Sequence, residues 1–89
     1  MPQTFDKDPD AVLDYAVDWE DWLGGDTIAS SSWTVPAGIT KDSDTHDDTT
    51  ATVWVSGGAA GETYRLVNHI ETAAGREEDR SIFIVVKQR

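Results

Sequence analysis

The chain has 89 residues, no cysteine, and 17 acidic against 7 basic side chains, giving a net charge of −10 near neutrality. A single domain of that size buries only about 60–65% of the surface its unfolded chain exposes, so its core is thin. Disulfide stapling and thiolate chemistry are excluded. Nucleic acid and anionic membrane are poor partners, because both are held by clustered Lys and Arg.

The acidic excess is confined to one half. Residues 1–48 hold 12 acids and 2 bases, whereas residues 49–89 hold 5 of each. Such a field suits a basic protein surface, although negative charge also serves simply to keep a small domain soluble. The opening MPQTFDKDPD lacks the basic and apolar regions of a signal peptide. The longest apolar run, Ile82 to Val86, is 5 residues, far below the roughly 18–20 that span a bilayer. The expectation is a soluble protein made in the cytoplasm without export.

Residues 1–10 are expected to form a flexible arm: Pro2 and Pro9 cannot donate to a sheet ladder, and the segment has little to bury. The remaining residues, 11–89, are expected to form the folded domain. Leu13, Tyr15, Val17 and Trp19 alternate with Asp14, Ala16, Asp18 and Glu20, the period of a strand with one wet face. DWLGGD, residues 21–26, then reads as a tight or short helical turn, freed by Gly24 and Gly25. A second strand spans DTIASSSWTV, residues 26–35, and is stopped by Pro36 and Gly38. Ile39 begins a short third piece, and KDSDTHDDTT, residues 41–50, reads as a polar loop.

TATVWVS, residues 50–56, is a further strand, turned at Gly57, Gly58 and Gly61. GETYRLVNHIET, residues 61–72, places Tyr64, Leu66, Asn68 and Ile70 on one face and His69 on the other. AAGREED, residues 73–79, is the next turn, and RSIFIVVKQ, residues 80–88, closes the chain. Six or seven strands with turn signals every 8–12 residues indicate an all-β fold, an immunoglobulin-like β-sandwich of about seven strands. Tyr64, near the start of the penultimate strand, suits a tyrosine corner that ties its hydroxyl to nearby backbone. The expected core is Leu13, Tyr15, Val17, Trp33, Val53, Val55, Tyr64, Leu66, Ile70, Phe83 and Val85, and Trp19 and Trp54 also fall where a sandwich can bury them.

No catalytic, cofactor-binding or metal-ligating residue is assigned. Asp42, Asp44, His46 and Asp47 suggest a calcium loop, but the sixth and twelfth positions counted from Asp42 hold Asp47 and Val53, not the glycine and glutamate an EF-hand requires. A looser, weak cation site in residues 41–49 stays open. Gly57 to Gly61 lie between strands, so no helix N-terminus follows to cradle phosphate. Two histidines without cysteine or D/E-x-x-H spacing make a poor zinc site. Glu20 and Asp21 are adjacent and diverge, unlike the facing carboxylates of a glycosidase. No G-x-S-x-G elbow occurs. The chain is expected not to be an enzyme.

Four segments carry a resemblance: DPDAVLDYAVDWEDWLGGDTI (residues 8–28), S-x-W-T-V-P-A-G-I (31–39), VWVSGGAAGETY (53–64) and IETAAGREEDRSI (70–82). Their order resembles a family of small tailed-phage proteins, the fibre–tail adaptor proteins, thought to be Ig-like sandwiches of the virion. The resemblance implies a non-enzymatic structural protein, without cofactor, that docks between neck or tail components and fibre proteins in several copies per particle. Its localisation would be the virion, and its partners would offer a basic surface. The candidate docking residues are Trp19, Glu20, Asp21, Trp22, Leu23 and Asp26, an aromatic anchor inside an acidic field; the alternative reading has Trp22 and Leu23 simply plugging one end of the sandwich. If docking does not run there, the edge of the C-terminal strand, residues 80–88, is the alternative. The acidic segment 41–49 departs from the blander loop expected in relatives. The competing function is a stand-alone Ig-like binding module for carbohydrate or a cell-surface ligand.

Overall fold

The computed structural model describes residues 3–87. Among them run β1 (Gln3–Lys7), β2 (Leu13–Asp18), the single-turn helix α1 (Glu20–Leu23), β3 (Ile28–Thr34), β4 (Ile39–His46), β5 (Thr50–Gly57), β6 (Thr63–Thr72) and β7 (Glu77–Val86). They form two sheets, one ordered β1-β7-β6-β3 and the other β2-β5-β4. Every pairing is antiparallel except β1 with β7. The chain is an immunoglobulin-like β-sandwich, as its turn spacing indicates.

The core lies between the sheets. Tyr15 and Val17 from β2, and Ala51, Val53 and Val55 from β5, face Leu66 and Ile70 of β6 and Ile82, Ile84 and Val86 of β7. Trp33, Ile28 and Ile39 complete it. The alternation of β2, β5 and β6 is read correctly from sequence. The phase of β7 is not: Ile82, Ile84 and Val86 are buried, while Phe83 and Val85 are only half-buried on the other face. Ile82 to Val86 is apolar at every position, so periodicity cannot choose a face. The β6 register chooses it, pairing Ile82 with Leu66 and Ile84 with Tyr64, and directly opposed residues share a face. Leu13 and Trp54 also depart from expectation, at 38% and 40% exposed, and Tyr64 is only partly buried, packed against the core rather than within it. Leu13 sits at the rim where β2 begins, and Trp54 is outward because Val53 and Val55 on either side point in.

Two segments expected to be irregular are strands. Gln3–Lys7 of the expected arm pairs with β7 residues 82–86; residues 1 and 2 lie outside the described residues. Lys7 holds this strand in place. Its side chain is 1% exposed, and Nζ donates to the carbonyls of Gly57, at 2.7 Å, and Asp8, at 2.9 Å. Burial pushes the Lys7 pKa down, and the charges of Asp8, Asp10 and Asp42 oppose that shift. Because β1 lies beside it, β7 over residues 82–86 is an interior strand, and the C-terminal edge proposed for docking is covered there. The second segment is 41–46, read as a loop but part of β4. It pairs with β5 around a bulge between Lys41 and Ser43, and an edge strand tolerates its charges because one side faces water.

The tyrosine corner is present. The Tyr64 hydroxyl accepts a hydrogen bond from the Ala59 amide at 3.0 Å, five residues upstream. The ring backs onto Gly38 so closely that a Cβ there would lie 3.0 Å from it, and Gly38 has a φ of +99° that favours glycine. Tyr64→Phe should lower the unfolding free energy by about 1 kcal/mol, read as a shifted urea midpoint with an unchanged slope.

Asn68 sits at the centre of the core, 0% exposed. Its Oδ1 accepts the indole N–H of Trp19 at 2.9 Å, and its Nδ2 donates to Ser31 Oγ at 2.9 Å and to the Ser32 carbonyl at 3.0 Å. An indole nitrogen only donates, which fixes the amide orientation. Asn68→Ala should cost about 2–3 kcal/mol, since it strands a buried donor, and chemical denaturation measures it.

Candidate docking surface

The chain turns from one sheet to the other at α1, and the six candidate residues lie there. Asp18 Oδ1 accepts the Glu20 amide at 2.9 Å, bending the chain out of β2. Gly24, at φ +56°, ends the turn in the left-handed region. Between these stops the pattern W-E-D-W-L divides by direction. Trp19 and Leu23 point inward, 0% and 3% exposed, so they belong to the core and are not available at the surface. Glu20 and Asp21 are exposed, and Trp22 is half-buried. Acids in this first turn face the free N–H groups of the helix, a small favourable effect.

Two arginines from β7 and the turn before it fasten the corner. The Arg80 guanidinium lies 4.3 Å from the centre of the Trp19 ring and donates to the Asp18 carbonyl at 2.9 Å. The Arg76 guanidinium lies 4.3 Å from the centre of the Trp22 ring and donates to the Leu23 carbonyl at 2.7 Å. The two indoles meet edge to face, 5.4 Å apart at 71°. Arg76 also pairs with Asp26 Oδ2 at 3.2 Å. Asp26 therefore turns away from solvent and ties the corner to the β6–β7 turn, accepting amides from Thr27 and Ala74. Its carboxyl is held below the usual range, first by the Thr72 hydroxyl, with Thr27, Arg76 and Ala74 adding to the effect against desolvation.

Beside this corner lies an open depression of about 500 Å³, between the end of β2 and β7. Val17 and Ile82 form its apolar part, and Asp18, Asp79 and Arg80 its charged part. Of the six candidates, then, Glu20, Asp21 and part of Trp22 remain on the surface, Asp26 is a structural tie, and Trp19 and Leu23 are core. Arg76 and Arg80 escape sequence reasoning because their partners lie 53 and 62 residues away.

Residues 7–85 match the family model described as "Podophage GP4 fiber-tail adaptor protein gp77". The chain belongs to this podophage fibre–tail adaptor family. No curated protein matches it. Among solved structures it is similar to the solution structure of the PKD domain from KIAA 1837 protein, with a TM-score of 0.57 and 17% identity over 99% of this chain and 81% of that one. That likeness concerns the fold alone.

Elsewhere on this adaptor-family chain, three carboxylates of the acidic segment 41–49 are engaged separately. Asp42 accepts the Ser56 hydroxyl, Asp44 pairs with Lys41 at 2.7 Å, and Asp47 accepts the amides of Thr49 and Thr50. Among the described residues, His69, Glu71 and Glu77 bring potential ligand atoms within 4.8 Å of one another. This grouping arises from register, with His69 opposite Asp79 and Glu71 opposite Glu77. Both His69 ring nitrogens face carboxylates, Asp79 and Glu77. No helix of the described residues is long and apolar enough to cross a membrane.

The Asp79 carboxylate, and then Glu77, raise the His69 pKa, against desolvation. A raised folded-state pKa gives stability that is complete below the unfolded value near 6.5 and vanishes as pH climbs through the folded value. With its side chain 42% exposed, the pair is worth under about 1 kcal/mol. His69→Gln should therefore destabilise at pH 5.5 and become neutral by pH 8.5, in paired denaturation curves.

Proposed function

We propose that the chain is a non-enzymatic structural subunit of the podophage virion, docking between tail or neck components and fibre proteins through the acidic corner at α1. The family match over residues 7–85 carries this reading. The geometry supports it: Glu20 and Asp21 are exposed beside the half-buried Trp22, and an open depression with Asp18 and Asp79 on its wall adjoins them. Arg76 and Arg80 brace the corner, each stacked on an indole, so little side-chain freedom is lost when a partner arrives.

In this reading the partner presents basic groups. The 12 acids of residues 1–48 speed the encounter at long range, and Trp22 supplies contact area at short range. The chain acts in several copies, without cofactor, nucleic acid or membrane.

The test is association with the tail, neck and fibre proteins of the same phage, measured across a salt series. The association rate should fall steeply from 50 to 300 mM salt, because steering between exposed charges is screened beyond the Debye length, which shrinks to about 8 Å near 0.15 M. Glu20→Gln with Asp21→Asn should slow association without changing the melting temperature. Trp22→Ala should weaken binding by at least about fivefold in a chain whose circular dichroism is unchanged. Binding indifferent to salt and to all three side chains would place the interface elsewhere.

A further inference from the structure

The outer face of the β2-β5-β4 sheet carries an indole that the fold leaves uncovered. Trp54 stands on the central strand, 40% exposed. Its neighbours across the sheet are Asp14 on β2 and Ser43 on β4, both exposed. The bulge between Lys41 and Ser43 brings Asp42 onto the hydroxyl of Ser56, two residues along β5 from Trp54. An aromatic ring thus lies in a polar row with carboxylates near it. The base of this strand region, Lys41, is engaged by Asp44.

The other tryptophans show what this chain does with an indole face. Arg80 covers Trp19 and Arg76 covers Trp22, each at 4.3 Å, while each guanidinium also donates to oxygen atoms beside the ring. Trp33 is buried in the core. Among the described residues, Trp54 has neither an arginine on its ring nor a core around it. A guanidinium stacked there would meet Asp14 directly across the strand, at the 4.5–5.5 Å Cβ separation of opposed residues, so its donor fork could reach the carboxylate while its plane lay on the ring.

We propose that the Trp54 face is a second docking surface, built to receive an arginine side chain from a basic segment of a partner protein, with Asp14 as the carboxylate that orients it. The choice of a tail or fibre protein as that partner rests on the proposed function; the chemistry of the site does not. Arginine is favoured over lysine because only a planar guanidinium stacks and forks at once.

The experiment titrates the full-length, isotope-labelled chain with acetyl-Arg-Gly-Arg-amide and follows backbone and indole resonances. The expected result is saturable shifts at the Trp54 indole N–H and the Asp14 amide, with the matching lysine peptide at least about fivefold weaker. Trp54→Ala and Asp14→Asn should each weaken binding by at least about fivefold, with resonances away from this face unmoved. Shifts confined to Glu20–Asp26, or spread evenly over the acidic half, would overturn the site. Shifts at Trp54 with a neutral glucan hexasaccharide, and none with the arginine peptide, would overturn it in favour of a sugar platform. Since no tail or fibre protein is used, a negative titration leaves the proposed function standing, and failure to bind those proteins leaves a positive titration standing.

Discussion

The rest of the sandwich is arranged around the hydrogen bond from the Trp19 indole to Asn68 Oδ1. Both side chains are 0% exposed, and a buried donor left without an acceptor would cost about 1–3 kcal/mol. The bond therefore fixes where the chain leaves β2 relative to the middle of β6. Through its other end Asn68 grips Ser31 Oγ and the Ser32 carbonyl, so the same amide also holds β3 beside β6. One polar group in an apolar core thus ties three strands and the α1 corner together, and it specifies their mutual positions in a way that interchangeable aliphatic contacts do not. The Trp33 indole nitrogen gives the contrast: it is buried and has no hydrogen-bond partner among the described residues, and its burial contributes area but no orientation.

From that anchor the division between core and surface at α1 follows. Once Trp19 is drawn inward, a helical turn sends Leu23 inward one turn later and leaves Glu20 and Asp21 in water. Trp22 falls between these directions, and Arg76 settles it by covering one face of the ring and bonding the carbonyls at the end of the turn. What looks in the sequence like one cluster of acids and aromatics is, in space, a structural half and a surface half. In the proposed role both halves matter, because a corner that had to be ordered on contact would lose binding energy.

The same contrast holds between the two outer faces. On the four-stranded sheet, His69, Glu71, Glu77 and Asp79 come together by register, and His69 places both ring nitrogens against the Asp79 and Glu77 carboxylates. On the three-stranded sheet, Asp14 lies across from the exposed Trp54, Asp42 accepts the Ser56 hydroxyl, and Lys41 of β4 is paired with Asp44. The net charge of −10 is thus unevenly expressed, and the surfaces with unbalanced carboxylates belong to the first half of the chain.

Alternation in the sequence determined the sandwich class, the inward faces of β2, β5 and β6, and the corner at Tyr64, because a strand half in water must alternate apolar and polar side chains. The order of the quoted segments also carried the adaptor family. Only the tertiary structure decided the rest, and each case has a physical reason. Ile82 to Val86 is apolar throughout, so its phase had to come from pairing with Leu66 and Tyr64. Gln3–Lys7 and Lys41–His46 are polar enough to pass for coil, and became strands because β7 and β5 offered them free edges. Trp19, Trp22 and Trp54 are alike as letters, yet one is core, one is clasped and one is open. That outcome depended on Asn68 and Arg76, partners that sequence proximity does not reveal, and for Trp54 on the inward turn of the flanking Val53 and Val55.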